Sequence, residues 1–217
     1  MSVQRLRIRF SRGEEIRFIS HLDLMRLWQR ALVRAGVSLA YSEGFNPHPR
    51  MSIAAPLALG VTSEAELMDI FVDRWSSPHT FSAAVGRQLP QGISITGTYN
   101  VPLTLPSLQS QVHSAEYTVR VATGKGEKDV EAALQSLLAK GSLPWEHQRD
   151  TGPRRYDLRA LIEDLWLIAW QPGGGTIGMR LSCDSRGSGR PEQVAAALGF
   201  EKYPESVHRT RLVLITG

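Results

Sequence analysis

Arg5-Leu6-Arg7-Ile8-Arg9-Phe10 alternates basic and apolar residues with a period of two, the repeat of a strand whose successive side chains point to opposite sides of a sheet. This alternation predicts Leu6, Ile8 and Phe10 on a buried face and Arg5, Arg7 and Arg9 on the other. Ser20-His21-Leu22-Asp23 is an acidic form of the capping box and predicts a helix start, with Gly36 as its end. Between them Leu24, Met25, Trp28, Ala31, Leu32 and Ala35 form an apolar side. Asp23, Arg26, Arg30 and Arg34 recur at steps of three and four, so a second side of the predicted helix is a row of arginines.

The next segment, Tyr41-Ser42-Glu43-Gly44-Phe45-Asn46-Pro47-His48-Pro49-Arg50, is rich in turn-forming residues and reads as a fixed loop. Met51 to Leu59 and Glu66 to Val72 read as strands meeting near Gly60, with Pro56 confining part of the first to an edge or bulge. Ser77-Pro78 predicts a helix to about Leu89, and Ile93 to Val101 a strand. Residues 102–113 carry two prolines and no charge apart from His113, which suits a linker.

The same order then recurs, with strand material at Tyr117 to Val121, Leu143 to Arg149, Leu158 to Ile162, Leu165 to Trp170, Ile177 to Cys183 and His208 to Ile215. Helices are predicted from Glu127 to Lys140 and from about Pro191 to Leu198. The expected fold is α+β: two tandem ferredoxin-like (βαββαβ) units with antiparallel sheets, residues 1–107 and 108–217.

The length of 217 residues suits two small domains, and 42% hydrophobic residues suffice for real cores. No apolar run approaches the ~18 residues of a membrane span, and the basic, alternating N-terminus supplies no export signal, so a cytoplasmic protein is expected. A single cysteine, Cys183, excludes internal disulfides and clusters held by thiolates alone, and no cofactor is expected on the chain itself. The basic residues are 21 arginines against 4 lysines, and residues 1–60 hold a net charge of +5. Arginine suits bidentate phosphate contacts, so RNA is the expected partner.

Gly173-Gly174-Gly175-Thr176-Ile177-Gly178 matches the dinucleotide fingerprint as a bare pattern, but a strand follows it where the fingerprint needs a helix; it reads as a hairpin turn. Ser185-Arg186-Gly187-Ser188-Gly189-Arg190-Pro191 places two arginines before a helix start, a candidate phosphate contact. His21, in the first turn of a helix, and His48, between two prolines, are the candidate catalytic residues. If the loop folds over the first helix, Ser20, His21, Asp23, Asn46, His48 and Arg50 converge, as a metal-independent ribonuclease or a passive RNA grip would need. Phe45, a loop aromatic beside Gly44, suits base stacking.

Phe18-Ile19-Ser20-His21-Leu22-Asp23-Leu24-Met25-Arg26, Arg30 to Gly36 and the GFNPHP block, Gly44 to Pro49, resemble the radical SAM-linked protein family. Asp157-Leu158-Arg159, Arg190-Pro191-Glu192 and His208-Arg209-Thr210 resemble its later signatures. The resemblance implies an accessory of a cobalamin-binding radical SAM protein, because the cysteine triad that binds the cluster is absent, and it implies no reaction. In architecture the doubled unit also resembles the repeat-processing endoribonucleases of CRISPR systems. The expected function is an accessory RNA-binding module that presents tRNA or rRNA to a partner radical SAM enzyme. Its RNA-binding residues are expected to be Arg5, Arg7, Arg9, Arg26, Arg30, Arg34, Phe45, Asn46, Arg50, Arg186 and Arg190. The alternatives are an endoribonuclease using His21 and His48, and a purely protein-binding subunit of a radical SAM complex.

Overall fold

The computed structural model describes residues 3–149, 152–184 and 187–215. It is a mixed α+β fold with largely antiparallel pairing. The chain divides into two compact units, one running to Val112 and including Ile215, the other His113–Leu214.

The first unit holds β1 (Gln4–Arg12), α1 (His21–Arg34), β2 (Met51–Ile53), β3 (Thr62–Val72), α2 (Pro78–Gly86), β4 (Ile93–Val101) and α3 (Leu108–Gln111). Its strands lie in the order β4-β1-β3-β2, every pair antiparallel. Leu6 stands opposite Ile70 and Ile8 opposite Met68. These side chains share one core with Phe10, with Leu24, Trp28 and Leu32 of α1 and with Phe81 and Val85 of α2. Both helices therefore cover the same sheet face, and each fully buried apolar side chain there contributes roughly 1.5–3 kcal/mol. Trp28 packs edge-on against Phe10, centroids 4.9 Å apart at 66°.

Two expectations for this unit need correction. The strand read from Met51 to Leu59 covers only β2, because Pro56 has no N–H for a ladder. Residues 102–111 are not a linker: Leu108 of α3 is fully buried, and the carbonyls of Leu105 and Pro106 accept hydrogen bonds from Arg5. The segment packs on the sheet because it satisfies a buried guanidinium.

The second unit holds β5 (Val112–Ala122), α4 (Glu127–Leu138), β6 (Pro144–Arg149), β7 (Gly152–Asp157), β8 (Ile162–Gln171), β9 (Gly174–Asp184), β10 (Gly187–Ser188), α5 (Pro191–Ala197) and β11 (Ser206–Leu214). β9 pairs antiparallel with β5, β8 and β10, and β11 lies beside β5. β6 and β7 form a separate hairpin. The stretch Leu158 to Ile162, expected as strand, is instead a 3-10 turn at Arg159–Leu161 leading into β8. Arg159 holds that turn, its guanidinium donating to the carbonyls of Leu138 and Ile162.

The glycine run belongs to the β8–β9 hairpin, where Trp170 faces Gly175 and Trp166 faces Gly178. A Cβ on Gly178 would stand 1.9 Å from Trp166 Cε2. Close indole packing, not a phosphate, accounts for this glycine.

Asp157 ties off the β6–β7 hairpin. Its Oδ1 accepts from the backbone N–H groups of Leu143 at 2.8 Å and Arg159 at 2.9 Å. The Leu143 N–H, followed by those of Arg159 and Ala160, holds the carboxyl below the usual carboxylate range against a smaller opposing effect of burial. A carboxyl depressed by folding stabilises the native state above its unfolded pKa and loses that contribution as pH falls through the folded value. Acidification below about pH 4 should therefore loosen this hairpin first, visible as lower amide protection at Leu143 and Arg159, each measured against the unstructured exchange rate at the same pH. Asp157→Asn should remove the pH dependence; equal protection factors at pH 3 and pH 7 in the parent would refute the assignment.

Candidate functional site

The first strand does not present a basic surface. Arg5 is buried, and its Nε and Nη2 donate to Asp69 Oδ2 at 2.9 and 2.6 Å. Arg7 donates to Asp69 Oδ1 at 2.8 Å and to Oδ2 at 3.1 Å, and to Gln111 Oε1 at 3.2 Å. Asp69, fully buried, stands opposite Arg7 in the β1–β3 register, so both arginines share one carboxylate. Arg5 and Arg7, expected to touch RNA, are structural. Arg9 alone of the three is exposed.

Period two has a second consequence. Leu6, Ile8 and Phe10 face α1, so Arg9 lies on the opposite side of the sheet from that helix. The arginines of the first strand and those of α1 do not form one patch.

The α1 row itself is intact. Ser20 caps the helix, its Oγ accepting from the Asp23 N–H at 3.1 Å and donating to Asp23 Oδ2 at 2.7 Å. That hydroxyl first, then Arg26, holds the Asp23 carboxyl below its ordinary value. Arg26, Arg30 and Arg34 are exposed one turn apart, about 6 Å per step along the axis. Gln29 and Val33 complete a shallow groove between them. Arg26 reaches Asp23 at 3.2 Å, an exposed pair worth little. Among the described residues Arg30 and Arg34 form no ion pair.

The loop before β2 is closed on itself. Ser42 donates its N–H to the His48 carbonyl at 2.8 Å, and the His48 N–H donates to Ser42 Oγ at 3.0 Å. Tyr41 bridges Pro49, and the Arg50 N–H donates to the Ala40 carbonyl. This clasp pushes Phe45 fully into solvent, with Asn46 and His48 exposed beside it in sequence. Arg50 is laid over the Phe71 ring, 4.2 Å from its centroid.

His21 and His48 do not meet. Leu39 bridges Val72 and Ala40 bonds to Phe71, which fixes the loop at the Gln4 end of β1. His21 starts α1 at the Arg12 end, where the Arg12 guanidinium donates to the carbonyls of Arg17 and Ile19. A helix of 14 residues, about 21 Å, separates the two ends. The convergence of Ser20, His21 and Asp23 with Asn46, His48 and Arg50 is therefore not formed, because α1 must run the length of β1 before the chain returns.

In the second unit, Arg190 precedes α5 with Nη1 3.5 Å from His147 Nε2. Arg186 lies outside the described residues. Sequence reasoning missed His147, Arg154 and Tyr156, which line one cavity with Arg190; the basic and aromatic run Arg154-Arg155-Tyr156 was the available signal. Among the described residues no group of His, Cys, Asp and Glu is arranged to hold a metal ion. No helix among them is long and apolar enough to cross a membrane.

Residues 5–191 match the model of a family described as "Uncharacterized protein conserved in bacteria (DUF2344)". No curated protein matches the chain. In fold it is similar to a chain of a Cbf5-Nop10-Gar1 complex, with a TM-score of 0.53 and 9% identity over 98% of this chain and 50% of that one. It is also similar to a chain of an H/ACA RNP bound to a substrate RNA containing 2'-deoxyuridine, with a TM-score of 0.52 and 10% identity over 95% of this chain and 47% of that one. The chain thus spans about half the length of the solved chains it resembles.

Proposed function

The chain belongs to the DUF2344 family, and within it we propose that this protein is an accessory RNA-binding module built from two tandem ferredoxin-like units. The strand order β4-β1-β3-β2 in the first unit, and β11-β5-β9-β8 in the second once β6, β7 and β10 are set aside, supports that description of the fold. The observation that carries the RNA reading is the row Arg26, Arg30 and Arg34 on the outer face of α1, with one exposed carboxylate, Asp23, against it. Phe45 adds an exposed ring for stacking on a base, a contact worth about 1–3 kcal/mol. One solved chain of similar fold comes from an H/ACA RNP bound to a substrate RNA, which agrees with the reading at the level of fold. Presentation of tRNA or rRNA to a radical SAM enzyme is the part of this reading that rests on the resemblance of the SHLD and GFNPHP blocks.

Filter binding to total RNA across a salt series tests the module. Each phosphate contact contributes about 0.7–0.9 to the slope of log K against log salt, so replacing all three α1 arginines by alanine should flatten that slope by about 2–3. Phe45→Ala should weaken single-stranded RNA at unchanged slope. Salt-insensitive binding, or a triple variant that binds like the parent, would overturn the reading. Co-purification with a protein partner that survives nuclease would favour a protein-binding subunit instead, with Phe45 as its exposed anchor.

A further inference from the structure

We propose that the second unit carries a binding pocket for a phosphate monoester attached to a flat ring, of the nucleoside monophosphate class. A cavity of about 270 Å³ opens between the β6–β7 hairpin and the β9–β10 edge. Antiparallel pairing places His147 opposite Arg154, and two residues on, Tyr156 shares the same hairpin face. Arg155 and its partner Glu146, joined by a 2.6 Å ion pair, project the other way. Arg190 closes the far side with its Nη1 3.5 Å from His147 Nε2.

Among the described residues Asp157 is the one carboxylate in the lining, and its Oδ1 is already engaged by the N–H groups of Leu143 and Arg159. Glu192, outside the lining, pairs with Arg190 at 3.9 Å. Arg154 forms no ion pair among the described residues, and an anion accepting from Arg154, Arg190 and His147 together supplies its partner. The Ser182 hydroxyl, on a buried residue of the wall, offers a further donor.

Size and shape narrow the ligand. A bare phosphate would leave most of the cavity unfilled, since a water molecule claims only about 30 Å³. Tyr156 supplies a half-buried ring, with the Arg154 guanidinium 5.7 Å from its centroid. Its hydroxyl donates to the buried Gln193 Oε1, which fixes the ring plane. Leu161 and Ala160 form an apolar wall. A flat ring stacked on Tyr156 with its phosphate toward Arg154, Arg190 and His147 fits both halves of the lining.

The pocket belongs to the second unit and the α1 arginines to the first, so variants of one test it without touching the other. Calorimetric titration of the full chain with AMP, UMP, adenosine and inorganic phosphate should show the monophosphates binding at least tenfold tighter than either fragment. Arg154→Ala and Arg190→Ala should each weaken AMP at least tenfold, with Arg155→Ala and the α1 triple variant as the parent. A 5′-phosphorylated oligonucleotide compared with its 5′-hydroxyl twin identifies the source: tighter binding than AMP assigns the pocket to an RNA end, weaker binding to a free nucleotide. Adenosine and AMP binding alike, an equal loss in Arg155→Ala, or no AMP binding at millimolar concentration would overturn the proposal.

Discussion

Asp69→Ala is expected to lower the unfolding free energy by about 3–5 kcal/mol, the largest effect of any single polar substitution in the first unit. The carboxylate is fully buried and holds two guanidiniums, Arg5 at 2.6 Å and Arg7 at 2.8 Å. Its removal leaves two adjacent cations, one of them buried, with no counter-charge among the described residues and the Leu105, Pro106 and Gln111 oxygens as their remaining acceptors there. Urea denaturation followed by tryptophan fluorescence reads the loss directly. Asp69→Asn, which keeps an acceptor but not the charge, should fall between parent and Asp69→Ala. Replacing Arg5, Arg7 and Asp69 together by apolar residues of similar volume should recover most of the stability, because the desolvation of all three charges is then avoided. A loss below about 1 kcal/mol in Asp69→Ala would mean that solvent reaches the cluster.

Trp28→Ala should cost about 3–5 kcal/mol, while Trp28→Phe should cost far less. The indole is fully buried between β1 and α1, edge-on to Phe10, so truncation opens a large cavity under the helix. Phenylalanine keeps much of that volume. It also removes the indole Nε1, a buried donor without a hydrogen-bond partner among the described residues, so part of the packing loss is offset. The same pair of variants separates stability from RNA binding. Trp28→Ala should reduce RNA retention in proportion to unfolding, whereas the folded fraction should keep the parent's salt slope. Folded Trp28→Phe should likewise keep the parent's slope, because the exposed α1 arginines stay in place.

Much of the first unit was legible because its signals are local. The alternation from Arg5 to Phe10 and the apolar stripe from Leu24 to Leu32 are properties of a strand and a helix taken alone, and both formed as read. The Ser20 cap is equally local. The hairpin β6–β7 was only half legible, since Leu143 to Arg149 reads as extended but residues 152–157 carry a glycine and a proline that mask the alternation.

The candidate site divides along the same line. Sequence alone determined that Arg26, Arg30 and Arg34 share a helix face, because the 3.6-residue repeat fixes side-chain direction within one element. It also determined that Phe45 sits in a tight, polar loop. Only the tertiary structure decided which arginines remain available to a ligand. Asp69 comes from a strand more than sixty residues away and removes Arg5 and Arg7, and the length of α1 keeps His21 from His48. The pocket of His147, Arg154, Tyr156 and Arg190 arises from a hairpin meeting a separate sheet edge. Charge pairing and convergence are long-range relations, and periodicity within one element carries no information about which partner a folded chain brings across from another.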